Sequence, residues 1–192
     1  NLYFKPYAAC RWAQPAVAGC LQLVRENRLK PADLARVKVR TFAAAAALTR
    51  RPPANTEEAQ YNLAFPVAAA LIDGAVGPAQ VLPPRIFDRD LLDLAGRLEV
   101  EVAPEFEDRF PAKAIAAVEI TTHDGKRYES GAVEARWEPP DTLPNDDELQ
   151  EKFIWLAAPV LGTRRADELS QLIWQFEESA DARQLIERSV VD

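Results

Sequence analysis

The chain of 192 residues is 48% hydrophobic, a length and composition that suit one globular domain with a sizeable core. Its formal net charge of −7 argues against a nucleic-acid partner, because phosphate backbones are held by clustered Lys and Arg. Two cysteines and one histidine are too few ligands for a metal site. The chain has no apolar run of the roughly 18–20 residues that cross a bilayer, so we expect a cytoplasmic protein without a membrane partner.

The first half of the chain combines helical and strand patterns. Residues 15–28 carry apolar side chains at helical spacing, begin with a proline suited to a first turn, and predict the first helix. Residues 37–42 alternate between two faces and predict a half-buried strand. Residues 55–72 predict a second helix that opens on an Asn55 cap and is kinked or broken at Pro66, because proline donates no backbone hydrogen bond. This half should therefore supply two helices around one strand.

The second half predicts a sheet followed by helices. Alternating apolar residues predict further strands over residues 98–102, 114–122 and 127–136. Asp124-Gly125 lies between the last two, and this dipeptide is typical of tight hairpin turns, so we expect an antiparallel pair. Helical patterns follow over residues 145–162 and 166–178, with a short helix after Asp181. Because the elements are segregated rather than alternating, we expect one domain with an α+β fold, in which a largely antiparallel sheet is packed with helices.

Short catalytic motifs name no chemistry here, because the chain has no Gly-rich phosphate loop and no Ser-His-Asp set. Five segments are more informative: FKPYAACRWAQPAV (4–17), VKVRT (37–41), TEEAQYNLAFPVAAA (56–70), the Asp124-Gly125 hairpin, and residues 145–153. In this order, they resemble the C-terminal domain of MmgE/PrpD proteins, and the resemblance covers residues 1–192. We expect the all-helical N-terminal domain of that family to be absent from this chain.

The resemblance implies a chemistry and a partner. The family includes 2-methylcitrate dehydratase, cis-aconitate decarboxylase and iminodisuccinate epimerase, which are cofactor-free acid/base enzymes on small polycarboxylates. Their active site lies between two domains, which implies a lyase or isomerase completed by a helical domain or subunit. We expect this chain to be an incomplete enzyme, either an excised fragment or a split subunit, and homo-oligomerisation stays open. The alternative is a non-catalytic interaction or carboxylate-binding module derived from that family.

Three residues near the N-terminus are the catalytic candidates that the resemblance implies. Lys5 comes first, because the matching lysine faces the substrate in the family and an ammonium group suits a carboxylate or an enolate. Tyr7 can donate a hydrogen bond through its phenol, or anchor a domain interface. Cys10 supplies a thiol, although relatives commonly carry histidine there or at Gln14, and an acid at Ala18. A thiol and an amide cannot replace imidazole as a base near neutral pH, so these departures favour the non-catalytic alternative.

Four residues are candidates for substrate binding. Arg11 can clamp a carboxylate beside the ring of Trp12, although that ring is equally suited to anchoring an interface. Gln14 lies four residues after Cys10 and would share a helix face with it. Gln60 and Asn62 precede the expected break, where an opened turn would expose amide groups to a polar substrate. A kink that only wraps the helix around the sheet is the alternative.

A domain that docks on a partner should leave apolar surface uncovered. The candidates for such a surface are Leu2, Tyr3, Phe4 and Trp12. An extended apolar patch at these residues would favour docking, and its absence would count against it.

Overall fold

The computed structural model describes residues 3–178 and 181–190. Their contacts form two compact units, unit 1 (Asn1–Thr142) and unit 2 (Leu143–Asp192). The helices of unit 1 are α1 (Gln14–Asn27), α2 (Ala43–Ala46), α3 (Thr56–Gln60), α4 (Ala64–Asp73), α5 (Pro78–Val81), α6 (Arg89–Gly96) and α7 (Pro104–Glu107). Its strands are β1 (Leu34–Thr41), β2 (Glu99–Val102), β3 (Ile115–Thr122), β4 (Arg127–Glu129) and β5 (Val133–Glu134).

The sheet of unit 1 has the order β2-β1-β3-β4, and β5 also pairs with β3. Strand β1 is parallel to β2, whereas the pairings of β3 with β1, β4 and β5 are antiparallel. One face of β1 is buried, and the other carries ion pairs between neighbouring strands, such as Arg36 with Glu99. The predicted α+β fold with a largely antiparallel sheet is confirmed.

The predicted hairpin joins β3 to β4. Gly125 adopts a φ of +82°, a left-handed conformation that glycine takes without steric cost. The prediction of one continuous strand over residues 127–136 is wrong, because Gly131 also takes a positive φ of +67° and separates β4 from β5. Ser130 closes the gap, since its Oγ accepts a hydrogen bond of 2.9 Å from the backbone N–H of Val118.

The helix predicted over residues 55–72 is divided into α3 and α4. Asn55 caps α3 as expected, and its Oδ1 accepts from the N–H of Glu58 at 2.9 Å. The break covers residues 61–63, upstream of Pro66, which lies in the first turn of α4. The first turn of a helix tolerates proline, because its N–H groups have no partner within the helix. The break is therefore confirmed, but it lies a few residues earlier than expected.

Helix α1 packs closely on β3. A Cβ atom on Gly19 would lie 3.0 Å from Cγ2 of Val118 and 3.2 Å from Oγ of Ser130, so glycine permits the short distance between helix and sheet. Buried side chains from α1, α4, α6 and the sheet form the main core, which includes Val17, Cys20, Leu23, Phe65, Leu71, Leu91, Val118 and Ile120. The first turn of α1 is thereby fixed next to the loop that precedes it.

Unit 2 consists of helices α8 (Asp146–Leu161), α9 (Thr163–Trp174) and α10 (Arg183–Ser189). Asn145 and Glu148 form the predicted capping box at the start of α8, with hydrogen bonds of 2.9 Å and 3.1 Å. The helix expected over residues 166–178 corresponds to α9, which ends at Trp174 and is followed by a 3-10 turn over Phe176–Glu178. The short helix expected after Asp181 is present. None of the helices in the described ranges has the length and apolar character needed to cross a membrane.

Candidate functional site

The loop of residues 3–10 leads into α1 and is held to other parts of unit 1 by its backbone. The N–H of Ala8 donates to the carbonyl of Val76 at 2.9 Å. The N–H of Cys10 donates to the carbonyl of Gln60 at 2.7 Å, and this carbonyl belongs to the last residue of α3. The loop therefore has a defined conformation that depends on the end of α3 and on the segment after α4.

Gln14, in the first turn of α1, ties this loop together from inside. Its Nε2 donates to the carbonyls of Tyr7, at 3.1 Å, and Ala9, at 2.7 Å. The carbonyl of Ala9 also accepts from Nζ of Lys5 at 3.0 Å, so Gln14 holds the group that orients the ammonium ion. Gln14 is only 2% exposed, and its Oε1 is the one buried side-chain polar atom without a hydrogen-bond partner in the described part of the chain. Reversing the amide would turn Oε1 against two carbonyls, which excludes that orientation.

Arg11 is paired with a carboxylate of the chain itself. Its Nε lies 2.5 Å from Oε1 of Glu138 and its Nη2 lies 3.0 Å from Oε2, a bidentate arrangement that raises the pKa of Arg11. Tyr3 lies in the same neighbourhood. Burial raises the pKa of its phenol, the charge of Arg11 opposes this shift, and Glu138 and Cys10 add to it. The thiol, the phenol and the ion pair therefore share one environment.

Tyr7 and Ala18 line the same surface cavity. This cavity has a volume of about 390 Å³ and also contains Arg25 and Arg136 in its wall. Tyr7 is half-buried, and its ring packs against the main core. The fold thus brings together two positions that the resemblance singled out separately.

The aromatic residues near the loop divide into packed and exposed ones. Trp12 packs edge-on against Phe42 and Phe110, with ring centroids 6.5 Å and 6.0 Å away. Tyr3 and Phe4 remain exposed, at 38% and 60%, whereas Leu2 lies outside the described residues. Trp12 therefore anchors an aromatic cluster within unit 1, and Tyr3 and Phe4 are the docking candidates that the described residues leave exposed.

Gln60 and Asn62 both bind the chain itself. Nε2 of Gln60 donates to Oγ1 of Thr56 at 3.2 Å. Asn62 is completely buried, and its Nδ2 donates to the carbonyl of Arg51 at 2.9 Å, while its Oδ1 accepts from the N–H of Phe65 at 2.9 Å. In the turn between α3 and α4, the amide groups of Gln60 and Asn62 therefore form hydrogen bonds within the chain.

Most of the chain, including the second half of this loop, is similar to a known protein family. A family model described as the MmgE/PrpD C-terminal domain matches residues 7–178. The chain belongs to this family. A search of curated proteins finds no match. The match covers Tyr7, Cys10, Arg11 and Gln14, and Lys5 lies just before it. A C-terminal domain of the MmgE/PrpD family implies an N-terminal partner domain.

This MmgE/PrpD domain has one histidine, and that residue is not part of the loop. His123 is exposed in the β3–β4 hairpin, where its N–H donates to the carbonyl of Asp33 at 2.9 Å. Within residues 3–178 and 181–190, no group of three or more His, Cys, Asp or Glu side chains is arranged to hold a metal ion. The loop can therefore offer an ammonium group, phenols and a thiol to a ligand, but no imidazole.

Sequence reasoning missed two features of this site. Glu138 was not predicted, because it follows β5 without any motif, and only its contact with Arg11 reveals it. The structural use of Gln14 was also missed, because the acceptors are backbone carbonyls that no side-chain pattern indicates.

Proposed function

We propose that this MmgE/PrpD domain is the C-terminal half of a cofactor-free lyase or isomerase that acts on a small polycarboxylate. The observation that carries the proposal is the arrangement of Lys5, Ala9 and Gln14, in which a buried amide holds the carbonyl that orients an ammonium group. Such a group suits a substrate carboxylate or a developing enolate.

Arg11 contributes differently from Lys5 in this proposal. Its planar fork already binds the carboxylate of Glu138, so the pair adds no net charge. Its bidentate geometry is the one that a substrate carboxylate would need. We therefore assign primary carboxylate binding to Lys5 and treat Arg11 as a second contact that requires Glu138 to move.

The loop has no imidazole, so another group must transfer the proton. Tyr7 and Cys10 are the ionisable candidates beside Lys5, and Gln14 does not titrate. We infer that a helical domain or subunit supplies the base that removes the proton next to the carboxylate. The exposed rings of Tyr3 and Phe4 provide apolar surface at which such a domain could contact the loop.

The test is to recover the chain with its partners and to assay the complex. The tagged chain is expressed in its source cells, purified by affinity, weighed by native mass spectrometry and supplied with citrate-like substrates. We expect a helical partner and turnover that is lost in Lys5→Ala but retained in Lys30→Ala, which removes an exposed lysine elsewhere. Recovery of the chain alone, or of its own oligomer without turnover, would refute a split enzyme.

A carboxylate-binding module without turnover is the second candidate. Gln14 favours it, because this side chain fixes the loop and cannot act as a base. Saturable binding of citrate-like ligands by the recovered complex, weakened in Lys5→Ala and accompanied by no turnover, would support the module over the enzyme.

A further inference from the structure

A cleft in unit 1 has a cationic rim that the proposed site does not use. It has a volume of about 500 Å³ and lies between residues 46–51 and residues 95–98, at the end of α6. Arg50 and Arg51 line it together with apolar residues such as Leu48 and Leu98. Among the described residues of its wall, none is acidic, although the chain as a whole carries a net charge of −7.

The two arginines differ in their partners from several arginines of unit 1. Arg36, Arg85 and Arg109 each form an ion pair with a carboxylate. The side chains of Arg50 and Arg51 have no hydrogen bond or ion pair within the residues that the structure describes. Two successive arginines, with no carboxylate among the described residues of the cleft wall, create a positive potential that a small anion would relieve.

The backbone that carries these arginines is anchored to a buried part of unit 1. The N–H of Leu63 donates to the carbonyl of Thr49 at 3.1 Å, and the buried Asn62 donates to the carbonyl of Arg51 at 2.9 Å. The N–H of Arg51 also donates to Oγ1 of Thr49 at 3.3 Å. A rim whose backbone is already fixed loses less conformational entropy when it binds a ligand.

We propose that Arg50 and Arg51 form a binding site for a small dianion, either a dicarboxylate or a phosphate group. Guanidinium forks match both anions in bidentate geometry, and the apolar wall suits a short hydrocarbon chain between two carboxylates. The site depends neither on Lys5 nor on a helical partner, so it stands apart from the proposed function. Asn62, which anchors Arg51, lies two residues after Gln60, and the carbonyl of Gln60 accepts from the N–H of Cys10. The proposed site is therefore connected through this segment to the N-terminal loop.

The experiment is an NMR titration of the full 192-residue chain, labelled with ¹⁵N, using succinate, inorganic phosphate and acetate at constant ionic strength. We expect saturable shifts of the backbone amides of residues 49–51 and of Leu63 with succinate or phosphate. Arg50→Gln/Arg51→Gln should weaken the binding by about tenfold or more. The control Lys30→Gln/Arg89→Gln makes the same change in net charge and should alter the affinity by less than about twofold.

The outcomes separate the two ligand classes from a general salt effect. Tighter binding of succinate assigns the site to dicarboxylates, and tighter binding of phosphate assigns it to phosphate groups. Shifts that do not saturate, that acetate reproduces, or that persist with equal affinity in Arg50→Gln/Arg51→Gln would overturn the proposal. The shift pattern of the unsubstituted chain decides alone if the double variant does not fold.

Discussion

Replacing Asn62 by alanine tests whether one side chain holds the break between α3 and α4. Alanine removes the hydrogen bonds to the carbonyl of Arg51 and from the N–H of Phe65, both 2.9 Å long, at a position that is 0% exposed. A typical hydrogen bond contributes about 0.5–1.5 kcal/mol net, and a buried group left without a partner costs about 1–3 kcal/mol. We therefore expect Asn62→Ala to lower the free energy of unfolding by about 2–4 kcal/mol.

The assay is thermal and urea unfolding of the whole chain, followed by far-UV circular dichroism. At about 2–4 °C per kcal/mol for a chain of this length, the melting temperature should fall by roughly 4–16 °C. Hydrogen exchange of the Phe65 amide should accelerate, because its acceptor is gone. Asn27→Ala is the matched control, since this exposed asparagine makes one bond of 3.1 Å to the carbonyl of Leu23. A fall for Asn62→Ala no larger than that of the control would refute the reasoning.

Three further predictions concern the loop, the hairpin and the thiols. Gln14→Leu removes two bonds but also the unpartnered Oε1, so urea unfolding should show a net loss of only about 1 kcal/mol. The hydrogen bond from Lys126 is the main cause that lowers the pKa of Asp124 to about 2, so its stabilising contribution holds above the ordinary carboxyl pKa and is lost as the pH falls toward 2. An NMR titration should show this low pKa, and Asp124→Asn should remove that part of the pH dependence of unfolding. Burial raises the pKa of Cys20, so a thiol reagent should modify the half-buried Cys10 in the native chain and Cys20 only after unfolding; equal labelling rates would contradict this.

Features with a local cause could be predicted from the sequence. Asn55 and Asn145 cap their helices because a side-chain oxygen reaches an N–H group three residues later, which depends only on neighbouring residues. Gly125 closes the hairpin for a similar reason, since a tight turn needs a positive φ. The predicted position of the break after α3 was less accurate. Asn62 and its contact with Arg51, rather than Pro66 alone, determine where α4 begins.

Features that depend on distant contacts could not be predicted. Arg11 and Glu138 are 127 positions apart, and no sequence pattern around either residue predicts their contact. The same applies to the carbonyl of Gln60, which accepts from the N–H of Cys10, a contact that the sequence does not indicate. Such pairings follow from the fold, so residue type and spacing could indicate Arg11 and Gln60 as candidate site residues without giving their partners.

Gln14 connects the shape of the loop with the chemistry that the loop can perform. Two carbonyls, those of Tyr7 and Ala9, need donors at this position, and an amide nitrogen supplies two N–H groups. A neutral imidazole supplies one, so a histidine here could donate to only one of these two carbonyls unless it were charged. Glutamine therefore keeps the loop, and with it the orientation of Lys5, at the cost of a group that transfers protons. Under the enzymatic proposal we infer that the base lies on the helical partner. Under the binding proposal no base is needed, so turnover by the recovered complex is the property on which the two proposals differ.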